Sequence, residues 1–162
     1  MPAFAVRRLL IVIPALLVAT LALSLLSIGP AEAHRTVRER KIHHGLEVAL
    51  RQKGDPYVYG ADGPSAFDCS GLTEYAFGKA GLRLPRSSDA QGRFVRRIPK
   101  SHLRRGDFMF FDSGSGVYHV GLYLGHHGGH RYLLHAAHPG TVVQRDPVWT
   151  NDWYAGTLRH RS

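Results

Sequence analysis

The order of hydrophobic and polar positions predicts helices between residues 37 and 97. Apolar residues at loose helical spacing indicate a first helix, which Gly54 can end. A second helix is predicted over residues 69–80, with Gly81 as its terminator. The apolar faces consist of Val37, Ile42, Leu46, Ala49 and Leu50 in the first helix, and of Leu72, Tyr75, Ala76 and Ala80 in the second. Residues 55–67 are typical of a loop, and a further short helix is predicted over residues 88–97.

From residue 107 onward the pattern changes to short apolar or alternating runs separated by turns. Strands are predicted over residues 108–111, 117–124, 131–137, 141–145 and 156–160. Helices followed by an antiparallel sheet form an α+β arrangement, and nothing in the pattern marks a domain boundary inside it.

The first 33 residues have the pattern of a signal peptide. Arg7 and Arg8 precede an almost unbroken apolar run over residues 9–28, and Ala31-Glu32-Ala33 is the small-x-small sequence that a signal peptidase cleaves. Cleavage there makes His34 the first residue of an exported domain over residues 34–162. The alternative is a retained membrane anchor, because the apolar run approaches the length of a spanning helix.

Composition and charge narrow the class of protein. The chain has 162 residues, of which 44% are hydrophobic, so it suffices for one domain with a buried core. It contains one cysteine, Cys69, which excludes an intrachain disulfide framework and a cysteine-rich zinc site. His126, His127 and His130 are interpreted as solvated loop histidines, and neither a metal nor a cofactor is expected.

The formal net charge of +9 is concentrated in one part of the chain. The stretch Arg83–Arg105 holds eight Lys or Arg residues against Asp89 alone. In an exported protein this stretch suggests attraction to anionic wall polymers or phospholipid headgroups. A solvated basic face without a specific partner is the alternative. Nucleic acid is not an expected partner, because no nucleic-acid-binding module is recognisable.

Cys69 follows a long loop and stands at the predicted start of the second helix. Unpaired backbone N–H groups and the helix dipole favour an anion at such a position. They are expected to lower the pKa of the thiol, whose thiolate form is the nucleophile, and to hold the oxyanion of a tetrahedral intermediate. A buried structural cysteine is the alternative interpretation.

A thiolate nucleophile needs a base, and His119 is the candidate because it lies inside a clear strand. His135 occupies a similar place in the next predicted strand. If the turn between them is centred on His127 and has three or five residues, the two histidines become direct cross-strand neighbours. An even turn would place them on opposite faces of the sheet. The odd turn therefore predicts a base, His119, with an orienting partner, His135.

Several ordered motifs resemble the NlpC family of bacterial cell-wall cysteine peptidases. The resemblance extends from about Leu46 to Arg159. The segments that carry it are Gly54-Asp55-Pro56-Tyr57-Val58-Tyr59-Gly60, Phe67-Asp68-Cys69-Ser70-Gly71-Leu72, Leu84-Pro85-Arg86-Ser87-Ser88 with Gln91, Arg105-Gly106-Asp107-Phe108, His119-Val120-Gly121-Leu122-Tyr123-Leu124-Gly125 and His135-Ala136.

The resemblance implies a papain-like fold in which N-terminal helices pack on a C-terminal antiparallel sheet. It implies a secreted cysteine endopeptidase that cleaves peptidoglycan stem peptides through a thioester, typically between D-glutamate and a diamino acid. The matching positions are Cys69 for the nucleophile, His119 for the base, His135 for the third residue, Tyr57 for an oxyanion-side hydroxyl, and Asp68 and Ser70 for the flanks of the nucleophile.

Two alternatives to this function are a related cysteine amidase that cleaves at L-alanine and a wall-binding module without activity. The interval from His119 to His135 is longer than usual for the family, so His138 is an alternative third residue. A monomer is expected.

Overall fold

Three helices and six strands make up the part of the chain that the computed structural model describes, residues 30–159, with side chains from residue 37. The helices are α1 (Pro30–Arg51), α2 (Cys69–Lys79) and α3 (Ser88–Phe94). The strands are β1 (Arg96–Ile98), β2 (Phe108–Asp112), β3 (Val117–His127), β4 (His130–Ala136), β5 (Val143–Pro147) and β6 (Trp153–Thr157). A short 3₁₀ turn, Lys100–His102, follows β1.

All six strands belong to one antiparallel sheet in the order β1-β6-β2-β3-β4-β5. The helices cover one face of this sheet, because alternate strand residues such as Phe110 and Leu122 join α1 and α2 residues in the main hydrophobic core. A smaller cluster on the other face contains Phe111, Leu133 and Trp153. The predicted α+β, papain-like architecture is confirmed.

The predicted signal peptide and the alternative membrane anchor fall mainly on residues 1–29, which lie outside the described residues. The chain divides into two units, Met1–Ala33 and His34–Ser162, and all of the architecture above except the first four residues of α1 belongs to the second. Among the described residues, no helix combines the length and the apolar character that crossing a membrane requires.

The predicted end of the short helix over residues 88–97 is wrong. Helix α3 stops at Phe94, and the chain continues as strand β1, which pairs with β6 at the edge of the sheet. Since β6 lies about 60 residues further along the chain, this pairing leaves no local signal in the sequence.

The β3–β4 hairpin differs from the predicted register in two ways that compensate each other. Its turn has two residues, Gly128 and Gly129, both with positive φ as a type I′ turn requires. An even turn alone would separate the two histidines, but β3 also contains a bulge between Tyr123 and Gly125. The extra residue, Leu124, restores the original parity. His119 and His135, which lie beyond the bulge, therefore share a face as predicted, although they are not direct cross-strand partners.

Candidate active site

Cys69 is the first residue of α2, and the residue before it holds the helix in place. Asp68 is the N-cap, and its carboxylate accepts a 2.7 Å hydrogen bond from the Gly71 N–H. Gly71 is required here, because a Cβ at this position would collide with the carbonyl oxygen of Ala61. The helix start is thus fixed against the loop that delivers Cys69.

Asp68 also anchors Arg86 and Ser70. Arg86 Nη1 and Nη2 donate to the carboxylate, at 3.0 and 2.6 Å, and the Ser70 hydroxyl donates at 3.1 Å. Burial raises the pKa of Asp68, but the hydrogen bonds from Arg86 and Gly71 outweigh burial and leave the pKa below its ordinary value. These bonds help to position α2, and Asp68 and Ser70 also line the cavity that contains Cys69.

Backbone groups act on the Cys69 thiol from both the helix and the sheet. Hydrogen bonding from the backbone of Val120, which follows His119 in β3, and from the backbones of Ser70 and Cys69 lowers the pKa of the thiol. The helix start therefore directs backbone groups at the sulfur, as its N-terminal geometry predicts.

The pKa of the Cys69 thiol is nevertheless higher than that of an ordinary cysteine. Burial raises the pKa of Cys69, the charge of Asp68 adds to the rise, and the backbone hydrogen bonds do not reverse it. The expectation of a net lowering of this pKa is wrong, because desolvation outweighs the backbone hydrogen bonding at the helix start. A neutral thiol is the resting form in this structure.

His119 and His135 are both buried and in direct contact. His119 Nε2 lies 2.8 Å from His135 Nδ1, and the rings form an edge-to-face pair. His138, the alternative third residue, is exposed and its Nδ1 lies 2.9 Å from the Pro139 carbonyl oxygen instead. The contact that His135 was expected to make is therefore present, although by a diagonal and not a direct cross-strand pairing.

A carboxylate that the sequence did not reveal completes the chain of contacts. Asp146 Oδ2 lies 2.9 Å from His135 Nε2 and also accepts a 2.7 Å bond from Gln144 Nε2. The pairing of β4 with β5 sets His135 opposite Gln144, so Asp146 shares the same face two residues on. The predicted strand ended at residue 145; alternation of polar residues 144 and 146 is the signal that extends it.

This network determines which ring nitrogens carry protons. Asp146 accepts a hydrogen bond from the N–H of His135 Nε2. His135 Nδ1 is therefore unprotonated and accepts a hydrogen bond from the N–H of His119 Nε2. In neutral His119, Nδ1 then holds the free lone pair. Nδ1 has no hydrogen-bond partner within residues 37–159, so it is available to take a proton.

Both imidazoles are held in the neutral form. Burial, followed by the neighbouring His135 and His138, lowers the pKa of His119 from 6.5 to about 3. Burial also lowers the pKa of His135, although Asp146 opposes it. Trp149 contributes to this burial: its ring centroid lies 5.5 Å from that of His135 and 5.8 Å from that of His119. Trp149 was not identified from the sequence, because it lies in the loop between β5 and β6.

Two open cavities are lined by the predicted catalytic residues. A cavity of about 430 Å³ is lined by Cys69, Tyr57 and Arg86, and one of about 460 Å³ is lined by His119, His135 and Trp149. Tyr118 lines both and lies next to His119 in the chain. Within residues 30–159, no group of three or more His, Cys, Asp or Glu side chains is arranged to hold a metal ion.

Tyr57 is half-buried beside the thiol. Burial raises the pKa of its hydroxyl, and the charge of Cys69 adds to the rise. The hydroxyl therefore stays protonated and can donate a hydrogen bond in the cavity that contains the sulfur.

Comparison with known proteins agrees with this architecture. A model of the NlpC/P60 family matches residues 54–162. A probable endopeptidase p60 of Listeria monocytogenes is 50% identical over 80 residues, which make up 49% of this chain and 16% of the Listeria protein. The chain thus corresponds to a small part of that curated relative.

Two solved structures from Mycobacterium tuberculosis illustrate the range of similar proteins. The peptidoglycan hydrolase RipB has a TM-score of 0.67 and 29% identity, over 90% of this chain and 81% of its own. RipD, described as a non-catalytic NlpC/p60 domain protein adapted to peptidoglycan binding, has a TM-score of 0.61 and 32% identity, over 73% of this chain and 97% of its own. Similar folds therefore occur with and without catalytic activity.

Proposed function

Because the chain belongs to the NlpC/P60 family, we propose that it is a cysteine endopeptidase that hydrolyses amide bonds in the stem peptides of peptidoglycan. The observation that supports this most is the chain of contacts from His119 to His135 and Asp146, which lies on the sheet against which α2 and its first residue, Cys69, pack. The proposed scissile bond joins D-glutamate to a diamino acid.

The reaction starts from a neutral thiol and a neutral imidazole, not from an ion pair. His119 Nδ1 takes the thiol proton as Sγ attacks the carbonyl carbon, and the tetrahedral oxyanion accepts hydrogen bonds from backbone N–H groups at the start of α2 and from the Tyr57 hydroxyl. The C–N bond then breaks, and the imidazolium protonates the leaving amine. A thioester on Cys69 remains.

Hydrolysis of the thioester uses the same groups in the opposite order. His119 removes a proton from water, which attacks the thioester carbonyl, and the C–S bond breaks to release a carboxylic acid. The proton on His119 returns to the sulfur. His135 and Asp146 keep the imidazole in the tautomer that both steps need.

Mass spectrometry of digested peptidoglycan tests this function. The wild-type chain should release fragments with a free amine on the diamino acid, whereas Cys69→Ala should release none while keeping its thermal unfolding transition. Products cleaved at L-alanine would show the amidase instead, and binding to peptidoglycan without products would show a module of the kind described for RipD. Activity that persists in Cys69→Ala would reject the mechanism.

The third residue is tested by a matched pair of variants in the same cavity. His135→Ala should lose most of its activity, because His119 then lacks the partner of its Nε2. His138→Ala should stay near the wild-type rate, since its ring contacts the Pro139 carbonyl. The opposite ranking would transfer the role to His138.

We also propose that residues 1–33 direct export and are removed before His34. The mass of the protein recovered outside an exporting bacterial host tests this. A chain that begins at His34 supports removal, and a full-length chain in the membrane fraction supports the retained anchor.

A further inference from the structure

The basic stretch Arg83–Arg105, which first suggested an anionic partner, does not form one free cationic face. Three of its arginines form ion pairs with acidic side chains: Arg86 with Asp68, Arg93 with Asp89, and Arg104 with Glu39. Two further cations lie over aromatic rings, Arg97 over Tyr154 and Lys100 over Trp153. The cations of this stretch are therefore spread over several separate contacts, and Arg105 alone among them belongs to a second cluster of cations.

That cluster lies at the tip of the β3–β4 hairpin. A cavity of about 320 Å³ is lined by nitrogen-bearing side chains from four separate segments: Lys53 after α1, Arg105 before β2, His126 and His127 in β3, and Arg145 in β5. Its other lining residues are Leu50, Leu124, Gly125 and Tyr132. No Asp or Glu lines this cavity, so three full positive charges share it without a carboxylate.

Two of the cations are held in place by contacts that leave most of their donors free. Arg105 Nη1 donates a 2.9 Å hydrogen bond to the Leu124 carbonyl, and the Arg145 guanidinium lies 3.9 Å from the centroid of the Tyr132 ring. A guanidinium has five N–H donors, and stacking on a ring uses none of them. Like charges brought together in this way repel unless an anion lies between them.

The cavity is separate from the catalytic cleft, although β5 contributes to both. Gln144 and Asp146 line the cavity of His119 and His135, whereas Arg145 between them points to the opposite face of the sheet. The two cavities have no lining residue in common. A ligand at the hairpin tip would therefore leave the Cys69 thiol accessible.

We propose that this cavity binds a phosphate group, and that the phosphate belongs to a phosphodiester-linked polymer of the wall. A planar carboxylate can receive both of its main hydrogen bonds from a single arginine side chain. A tetrahedral phosphate accepts hydrogen bonds from several directions at once. Donors from Lys53, Arg105 and Arg145 approach from different segments and match the second geometry. Binding there would hold the hydrolase on an anionic wall polymer while the catalytic cleft stays free.

Calorimetric titration of the full chain carrying Cys69→Ala tests the site without relying on catalysis. The probes are poly(glycerol phosphate), glycerol 3-phosphate, and sodium acetate as the carboxylate control. Poly(glycerol phosphate) should bind, and the double variant Arg105→Ala/Arg145→Ala should weaken its binding by at least about tenfold, since each arginine contributes charge-assisted hydrogen bonds. A double variant of two exposed arginines outside the cavity, Arg40→Ala/Arg83→Ala, removes the same charge and should bind as the parent does.

Each outcome has a defined meaning. Polymer binding tighter than that of glycerol 3-phosphate supports the polymer as the source of the phosphate, and equal binding per phosphate supports the site but replaces the polymer by a small phosphate ester. Equal weakening by the two double variants, or acetate binding as tight as phosphate, overturns the site. Because Cys69 is absent throughout, failure here leaves the proposed hydrolysis untouched, and failure of hydrolysis leaves this result intact.

Discussion

Acidification should destabilise this protein through one buried imidazole. His119 has a pKa of about 3 in the folded chain against 6.5 for an ordinary histidine. A depressed folded pKa contributes stability that is complete above pH 6.5 and is lost as the pH falls toward 3, because the unfolded chain binds the proton first. One pKa unit corresponds to about 1.4 kcal/mol, so the loss due to His119 between pH 8 and pH 5 is about 2 kcal/mol.

Urea unfolding at pH 8.0, 6.5 and 5.0 measures this effect. The parent chain should lose about 2 kcal/mol of unfolding free energy through His119, out of a total of about 5–15 kcal/mol that is typical of a domain. His119→Gln removes the titrating ring, so its loss over the same range should be smaller by that amount. His102→Gln, a change at an exposed histidine, should leave the parent's pH dependence in place.

Because His135 stays in all three proteins, the difference between them reports the loss of the His119 ring together with any change that this loss causes at His135. Any other contribution of His135, whose pKa burial also lowers, remains on both sides of the difference. A pH dependence in His119→Gln that equals the parent's within about 0.5 kcal/mol would refute the assignment of a buried, neutral His119. The neutral-pair mechanism would fail with it.

Three further predictions concern the site and its support. Asp146→Asn should lower kcat by at least about tenfold with little change in KM, because a neutral amide no longer fixes the proton on His135 Nε2. Steady-state kinetics on a stem peptide measure both constants, and a wild-type kcat would contradict the assigned tautomer. The Cys69 thiolate should absorb at 240 nm only above the ordinary cysteine pKa; a Cys69→Ala blank defines the signal, and thiolate at pH 6 would indicate an ion pair instead. Gly121→Ala should destabilise the fold by about 1–3 kcal/mol, since a Cβ there would lie 2.5 Å from Leu133 Cδ1 and 3.3 Å from His135 Cβ. An unchanged thermal unfolding transition would contradict this prediction and show that the sheet adjusts to the added methyl group.

Local sequence signals were sufficient for the elements that carry Cys69 and the histidines. The start of α2 follows from a loop and from apolar residues at helical spacing, and the structure begins this helix at Cys69. Alternation in β3 and a glycine-rich turn predicted His119 and His135 on one face, and the structure reaches that result by an even turn together with the bulge at Leu124. The signals were strong there because each depends on residues close together in the chain.

The features that were missed depend on contacts between distant segments. The pKa of Cys69 is set by burial under the rest of the fold, which outweighs the backbone hydrogen bonding at the start of its own helix. Asp146 joins the site only when β5 pairs with β4, and its role depends on register and not on composition. The bulge at Leu124 is a one-residue irregularity inside a regular apolar pattern, so the turn parity was derived without it.

Because of that bulge, the length of the hairpin tip can change without reversing the face on which His135 lies. A change of one residue in the turn would normally rotate every later side chain of β4 by half a period, but a spare position in β3 can absorb it. A one-residue change in the length of the tip can therefore be compensated at Leu124, so that His135 continues to face His119. Because His126 and His127 of this tip line the cationic cavity, such a change would alter the proposed phosphate site while the contact between His119 and His135 is kept.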